Sequence, residues 1–558
     1  MLKKWFPIID WMSNYQRGFL KGDISAGVIV AVMLIPQGMA YAMLAGIDPV
    51  IGLYAVTVPL LIYAIFASSR QLAVGPVAMV SLLVFTGVSS IVEPGTPEFL
   101  NYVILLALMV GVIQLVLGLT KAGFIVNFLS HAVISGFTSA AAIVIALSQI
   151  KHLLGVNLQS HDYTHQFILE VFQRVSDIHL LTFFFGITSI LILVFLKKYV
   201  PVVPGPIFVV AFSILVTYFY RLDEMGLKIV GDIPKGLPSF SIPVANIEAF
   251  QVLLPTALMI SFIAFMESIA VAKAIAVKEK YKVDPNQELK GLGLANIFSS
   301  FIASMPVTGG FSRTAVNYQS GAKTGLASII SAVLIIITLL FLTPLFYYLP
   351  NAVLAAIIIV AVYSLIDINE AKHLFKVKKI DGWVLTVTFF LTLFIGIEIG
   401  ILIGIVVSLV VFIWRSAYPH IAEVGYLKEQ NVFRNVKRFP EVTTYQDALI
   451  LRVDRSLYFA NMSFLESKIE ECLTTRPVKW LILDMSAVND MDAVAIDQLE
   501  EIMNVCKEMN VTCILTGIKG PVRDLVEKAG WNRRYEKQID YYSVDHAIKE
   551  LKLKENVV

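Results

Sequence analysis

The 558-residue chain is expected to fold as a polytopic α-helical membrane protein with fourteen transmembrane segments in two inverted seven-span halves, followed by a small soluble α/β domain. Three observations carry that expectation. The composition is too apolar for water, fourteen apolar runs alternate with charge-bearing loops, and two short Gly/Pro-interrupted runs occupy matching places in the two halves. Hydrophobic residues make up 57% of the chain and charged residues 15%, where soluble domains carry about 45–50% and about 25%. The net charge of +2, from 44 basic and 42 acidic residues, argues against the clustered basic face that nucleic-acid binding needs. Three cysteines, Cys472, Cys506 and Cys513, lack CxxC spacing and fit a reducing compartment with neither disulfide frame nor zinc site.

A bilayer-spanning helix needs about 20 mostly apolar residues, fewer where protein surrounds part of it. In order, the runs lie near 24–44, 49–67, 74–90, 100–119, 131–149, 180–196 and 203–219 in the first half. The second half continues with 252–272, 290–303, 311–321, 325–345, 349–366, 382–396 and 398–416. Runs 74–90 and 311–321 are weak on hydropathy alone. Charge placement tests the count, because Lys and Arg favour cytoplasmic loops. With the N-terminus inside, beside Lys3, Lys4, Arg17 and Lys21, alternate loops carry Arg70, Lys121, Lys197 with Lys198, a cluster from Lys273 to Lys282, Lys323, and a cluster from Lys372 to Lys379. The opposite short loops near 45–49, 91–99, 304–310, 346–348 and 397 carry no Lys or Arg. An even span count with both termini cytoplasmic follows. A cleaved signal peptide is the competing reading of the first run, since Ala40-Tyr41-Ala42 mimics a cleavage site, but the apolar stretch is too long.

The two weak runs are the informative ones. Gly75-Pro76-Val77-Ala78-Met79 opens the third run, and Pro306-Val307-Thr308-Gly309-Gly310-Phe311-Ser312-Arg313-Thr314 opens the tenth, each the third span of its half. Broken helices at corresponding positions of two repeats point to a transporter site, and an odd span count per half makes the repeats inverted. A half-helix that starts inside the membrane presents unpartnered backbone N–H groups and about half a positive charge. Two such tips facing one another form an anion trap. Gly75, Gly309 and Gly310 allow close backbone approach, and Pro76 forfeits an N–H that would be unpaired anyway. Ser312 adds a hydroxyl, and the Arg313 guanidinium suits oxyanions. The expected substrate is a small anion. The bland readings are that Gly and Pro are ordinary in transmembrane helices and that Arg313 snorkels from a helix end; two matched breaks disfavour them.

Gln37 and Glu267 place polar groups at helix depth in the first span of each half. A charge at the bilayer centre costs at least about 2.5–3.5 kcal/mol on insertion scales. Either a coupling role, in which Glu267 sheds its charge by taking a proton, or a static ion pair with Arg313 would offset that cost.

These residues carry a resemblance. Ile35-Pro36-Gln37-Gly38-Met39-Ala40-Tyr41-Ala42 resembles the first-helix signature of the SulP family, the sulfate permease group. The run from Gly46 to Tyr54, Ser68-Ser69-Arg70, Gly75-Pro76, Glu267-Ser268-Ile269-Ala270 and the stretch from Gly310 to Asn317 extend it. The resemblance implies a seven-plus-seven inverted-repeat fold within residues 1–420, divided into a core (spans 24–119 and 252–345) and a gate (spans 131–219 and 349–416). It implies a homodimer in which the core moves against the gate like an elevator. Gln37 and Tyr41, the tip residues Gly75, Pro76, Val77 and Ala78, and the tip residues Gly310, Phe311, Ser312 and Arg313 would line the anion site. Glu267 matches the acidic position that relatives use for proton or sodium coupling; sodium-coupled relatives tend to carry Asp there, so Glu points to H+.

After residue 420 the apolar residues become periodic. Residues 421–440 read as a linker and 441–558 as an α/β domain, with strands at 448–453, 457–459, 479–484 and 511–516 and helices at 461–473, 492–509, 519–529 and 543–552. This segment resembles the STAS domain, centred on the stretch from Asp484 to Ala493. In the anti-sigma-factor antagonists a phosphorylatable Ser or Thr follows the last Asp, where this chain has Ala493. A scaffold role is therefore expected over a phosphoserine switch, with the acidic loop left as a surface for a cytoplasmic partner.

The expectation is a non-enzymatic secondary transporter of the cytoplasmic membrane, proton-coupled, carrying sulfate or a similar oxyanion and needing no cofactor. The rivals are a bicarbonate or dicarboxylate transporter, an uncoupled anion channel, and a membrane-bound sensor. An ATP-driven pump is disfavoured, because Gly321-Ala322-Lys323-Thr324 lacks the glycine a phosphate loop needs directly before its lysine.

Overall fold

Several of the apolar runs fold as helices whose first turns satisfy or dispense with terminal N–H groups. The structure, a computed structural model, describes residues 5–124, 130–156, 164–200, 205–243 and 247–555. It divides into one unit reaching Ser408 and a second starting at Leu409.

The first half begins with α1 (Ile8–Ser13), α2 (Phe19–Leu44), α3 (Pro49–Tyr54) and α4 (Val58–Phe66), then β1 (Val74–Gly75) leading into α5 (Ala78–Ser89). It continues through α6 (Pro97–Leu119), α7 (His131–Ser148), α8 (Ile150–Leu154), α9 (Thr164–Gln173), α10 (Leu180–Tyr199) and α11 (Gly205–Tyr220). The second half starts with α12 (Ile247–Lys278), α13 (Pro285–Phe301), β2 (Thr308–Gly309) and α14 (Phe311–Gln319). It closes with α15 (Leu326–Ile337), α16 (Asn351–Tyr363), α17 (Ile368–Val377), α18 (Lys379–Phe394) and α19 (Ile397–Ala417).

Every expected run is helical, although the start of the run at 203 lies outside the described residues. Among the described residues nine helical stretches are individually long and apolar enough to cross a membrane. The rest, α5, α11, α13, α14 and α18, are shorter or more polar, which enclosure by neighbouring helices permits. Pro97 opens α6 with Thr96 accepting from the Phe99 amide, and Pro285 opens α13 with Asp284 accepting from the amides of Asn286 and Gln287. The run near 49–67 is split at Ala55–Thr57. Pro59 has no N–H to give the Ala55 carbonyl, so a continuous helix would leave a hole in the ladder.

The two halves interlock closely. A Cβ on Gly111 of α6 would lie 2.8 Å from the Gly293 carbonyl of α13, and one on Gly293 the same distance from the Gly111 carbonyl. Only glycine pairs let the two backbones meet so tightly. Buried amides tie the same region: Gln114 Nε2 donates to the Ser261 carbonyl at 3.2 Å, and Asn296 Nδ2 donates to Gln114 Oε1 at 3.0 Å. Satisfied networks of this kind hold a core in one arrangement.

In the second unit five strands form a mixed sheet in the order β4-β3-β5-β6-β7. These are β3 (Ile421–Leu427), β4 (Val432–Asn435), β5 (Ala448–Val453), β6 (Trp480–Asp484) and β7 (Thr512–Thr516). Parallel pairs join β5 to β6 and β6 to β7, and antiparallel pairs join β3 to β4 and to β5. Alternating residues separate the faces. Leu449, Leu451, Leu481, Leu483 and Leu515 pack under α20 (Phe459–Thr475) and α21 (Ala493–Glu508), while Ile450, Ile482 and Ile514 pack on the other side. Two readings are corrected here. Residues 421–440 are not a linker, since β3 and β4 belong to the sheet and Ala422 and Val424 enter its core. Residues 457–459 are not a strand, because Tyr458 is already the N-cap of α20.

Candidate functional site

The two interrupted helices meet. β1 and β2 pair antiparallel, with Val74 opposite Gly309 and Gly75 opposite Thr308. The Gly310 amide adds a bond to the Ala73 carbonyl at 3.1 Å. From this two-stranded clasp α5 and α14 depart, with Val77 and Gly310 as extended N-caps and no side-chain cap at either. The first helical bonds close at the Ser81 and Thr314 amides, at 2.9 and 3.0 Å. Earlier amides at each tip therefore have no helical acceptor behind them. Two positive dipole ends converge on one place.

The clasp is held by polar side chains that the sequence contains without revealing their role. Ser268 Oγ accepts from the Gly309 amide at 2.9 Å and shares a bond with Thr308 Oγ1 at 2.8 Å. Thr308 Oγ1 also bonds the Ala264 carbonyl, so α12 grips β2 by two successive turns. Asn296 brackets Val307, accepting from its amide at 2.7 Å and donating to its carbonyl at 3.0 Å. On the other strand Thr314 Oγ1 accepts from the Ala73 amide, and Asn317 Nδ2 donates to the Gln71 carbonyl at 2.8 Å. For Ser268 and Asn296 the one sequence signal is an isolated hydroxyl or amide inside a mostly apolar run.

Arg313 is only 2% exposed and is the third residue of α14, within its first turn. Its Nη1 donates to the Pro76 carbonyl at 2.5 Å, bridging the two tips. Its Nε and Nη2 are buried without a hydrogen-bond partner among the described residues. The flanking glycines make the room. A Cβ on Gly310 would stand 2.8 Å from Nη2 and 2.9 Å from the guanidinium carbon, and one on Gly75 would meet Val56 at 2.7 Å.

Gln37 and Tyr41, four residues apart, share a buried face of α2, which packs against both α5 and α14. Gln37 Oε1 is also buried without a partner among the described residues. Tyr41, Glu267 and Arg313 lie within electrostatic reach of one another. Among the described residues no salt bridge joins Glu267 to Arg313, and Glu267 Oε2 is buried with no hydrogen-bond partner. Val77 and Ala78 are buried at the α5 tip, whereas Phe311 (62% exposed) and Ser312 are exposed. The structure thus gathers Gln37, Tyr41, Gly75, Pro76, Val77, Ala78, Gly310, Arg313 and Glu267, and leaves Phe311 and Ser312 at the open side. Among the described residues there is no cluster of three or more His, Cys, Asp or Glu that could hold a metal ion.

The chain matches known proteins over nearly its whole length. The model of the Sulfate permease family matches residues 20–388, and that of the STAS domain matches residues 439–541. "Probable sulfate transporter 4.2" of Arabidopsis thaliana is 39% identical over 94% of this chain and 80% of its own length. "Sulfate transporter 4.1, chloroplastic" of the same plant is 38% identical over 98% of this chain and 82% of its own. Among solved structures, the murine Solute Carrier 26 family member A9 anion transporter in the inward-facing state superposes with a TM-score of 0.91 at 24% identity, covering 98% of this chain and 94% of that one. The transmembrane domain of a cyanobacterium bicarbonate transporter, BicA, superposes with a TM-score of 0.62 at 22% identity over 71% of this chain and 98% of its own.

Proposed function

The chain belongs to the sulfate permease family, and from that premise we propose that it is a proton-coupled secondary transporter carrying sulfate by alternating access. One observation carries the reading: a buried guanidinium with two unpartnered nitrogens sits between two uncapped helix tips clasped by β1 and β2. A tetrahedral oxyanion supplies the acceptors that the guanidinium and both tips lack. The named sulfate transporters among its relatives support sulfate over other anions. Gln37, Tyr41 and the tip residues Gly75 to Ala78 and Gly310 to Arg313 line this site, with Ser312 reaching the anion from the open side.

Coupling is assigned to Glu267. Its neighbour Ser268 holds the β2 clasp, so neutralising the carboxyl changes the field at the anion without a direct bond to Arg313. In the elevator reading the first four spans of each half form the core that carries the site, and the last three form the gate. We place the protein in the cytoplasmic membrane with both termini cytoplasmic, as a homodimer.

The test is uptake into proteoliposomes holding the purified full chain. Labelled sulfate should saturate and should be driven by an inward proton gradient but not by a sodium gradient. Preferential uptake of bicarbonate or a dicarboxylate, or a current that never saturates, would replace the sulfate symporter with one of those alternatives.

A further inference from the structure

A second anion-seeking place lies away from the clasp. A cavity of about 610 Å3 opens between the N-terminal segment and the ends of α4, α6 and α13, within the size range of small-ligand sites. It shares no residue with the site around Arg313. Arg70, Lys121, Lys282 and Lys290 line it, against the two carboxylates of Asp10 and Asp284. Asp284 Oδ1 accepts from the Asn286 amide at 2.9 Å at the start of its own helix, and Asp10 lies 3.7 Å from Arg70. Lys121 and Lys282 are exposed and form no salt bridge among the described residues.

The cavity is built, not a gap between loose ends. Ser68, in its lining, is held by the buried Glu288, which accepts from the Ser68 and Ser69 amides at 2.8 Å each and from Ser68 Oγ at 2.7 Å. One wall is the N-terminal segment. Gln287 Nε2 donates to the Trp5 carbonyl at 3.5 Å, and Lys290 Nζ stands 5.0 Å above the Trp5 ring. Trp5 and Trp11 both line the opening, and indoles favour the level of lipid head groups.

We propose that this cavity binds a phosphate-bearing anion, as an acidic phospholipid head group or as free inorganic phosphate, held by Lys121, Lys282 and Lys290. Basic pockets between membrane helices on the cytoplasmic side select such head groups. The bound anion fastens the N-terminal segment to the ends of α6 and α13 across Lys121 and Lys282.

The test uses the purified full chain in native mass spectrometry, with phosphatidylglycerol and phosphatidylcholine offered together. The wild type should retain phosphatidylglycerol selectively. Lys121→Ala/Lys282→Ala should weaken retention about thirtyfold, near fivefold per lysine. Lys372→Ala/Lys376→Ala, with the same loss of charge elsewhere, should not. A Tm increase on adding inorganic phosphate to protein in phosphatidylcholine alone, lost in Lys121→Ala/Lys282→Ala, assigns the site to free phosphate; selective lipid retention with no such increase assigns it to the head group. The proposal is overturned if the wild type shows neither selectivity nor a phosphate-dependent Tm, or if the cavity variant matches the wild type in both. Lys121→Gln/Lys282→Gln, which keeps side-chain bulk, separates loss of binding from loss of fold. None of these readouts depends on transport, so they stand whether or not the sulfate reading does.

Discussion

At Arg313 two costs oppose each other. Burial strips a guanidinium of water, and the single bond to the Pro76 carbonyl replaces only part of what was lost. An oxyanion that accepts from the free nitrogens contributes about 1.5–3 kcal/mol of charge-assisted hydrogen bonding. Arg313→Ala should therefore weaken sulfate binding by roughly 10–150-fold, while Tm without anion stays level or rises, because an unpaired buried charge has been removed. Arg313→Lys should fall between, keeping the charge but not the fork. Equilibrium binding and thermal melts check this; a large Tm loss with unchanged affinity would make Arg313 structural. Glu267→Gln keeps shape and cannot take up a proton. Sulfate binding should stay within about threefold, and uptake should no longer follow an imposed pH gradient, whereas continued pH-driven uptake removes Glu267 from coupling. Both residues were legible in the sequence, since a charge inside an apolar run announces its cost. Ser268 was not, because a serine in a membrane helix is usually packing or a local bond to its own turn.

The helix elements were legible as apolar runs because length and hydropathy suffice for them, and the two broken ones because Gly and Pro interrupt them. The β1–β2 clasp was not: two residues per strand carry no periodicity, and partners more than two hundred residues apart leave no local trace. The clasp makes its supports testable. Ser268→Ala leaves the buried Gly309 amide without its acceptor, a loss of about 1–3 kcal/mol, and should lower Tm and anion affinity together. Gly310→Ala should separate the two. The backbone at Gly310 has φ −94°, which alanine adopts freely, but the new Cβ would stand 2.8 Å from Arg313 Nη2. Pushing the guanidinium off its rotamer costs about 0.5–1.5 kcal/mol, so affinity should fall by about two- to tenfold with little change in Tm. A Gly310→Ala protein that binds as the wild type would show that the guanidinium has slack and that its placement is not what selects the anion.

At the level of the whole chain the change from membrane unit to soluble unit near residue 420 was legible from composition, but the role of residues 421–440 was not. Lys428, Arg434, Lys437 and Arg438 make residues 421–440 read as a solvated connector. Strand β4 shows no fully buried residue, so its pattern is that of an edge with one face in water. Only pairing reveals the role of this segment: β3 joins β5 through Ile421–Val453, Ala422–Arg452 and Glu423–Leu451, and its other side joins β4. Val424 and Leu427 are almost fully buried, which stabilises the domain by about 3–6 kcal/mol, a large share of the about 5–15 kcal/mol available to a domain. The consequence is a boundary prediction. A fragment of residues 419–558 should be monomeric and should unfold in urea as a single cooperative transition. A fragment of residues 441–558 lacks β3 and β4, exposes Ile450 and the free edge of β5, and should lose most of that stability and aggregate. Equal stability of the two fragments would mean that β3 and β4 lie on the sheet without contributing to it, and would return residues 421–440 to the role of a connector.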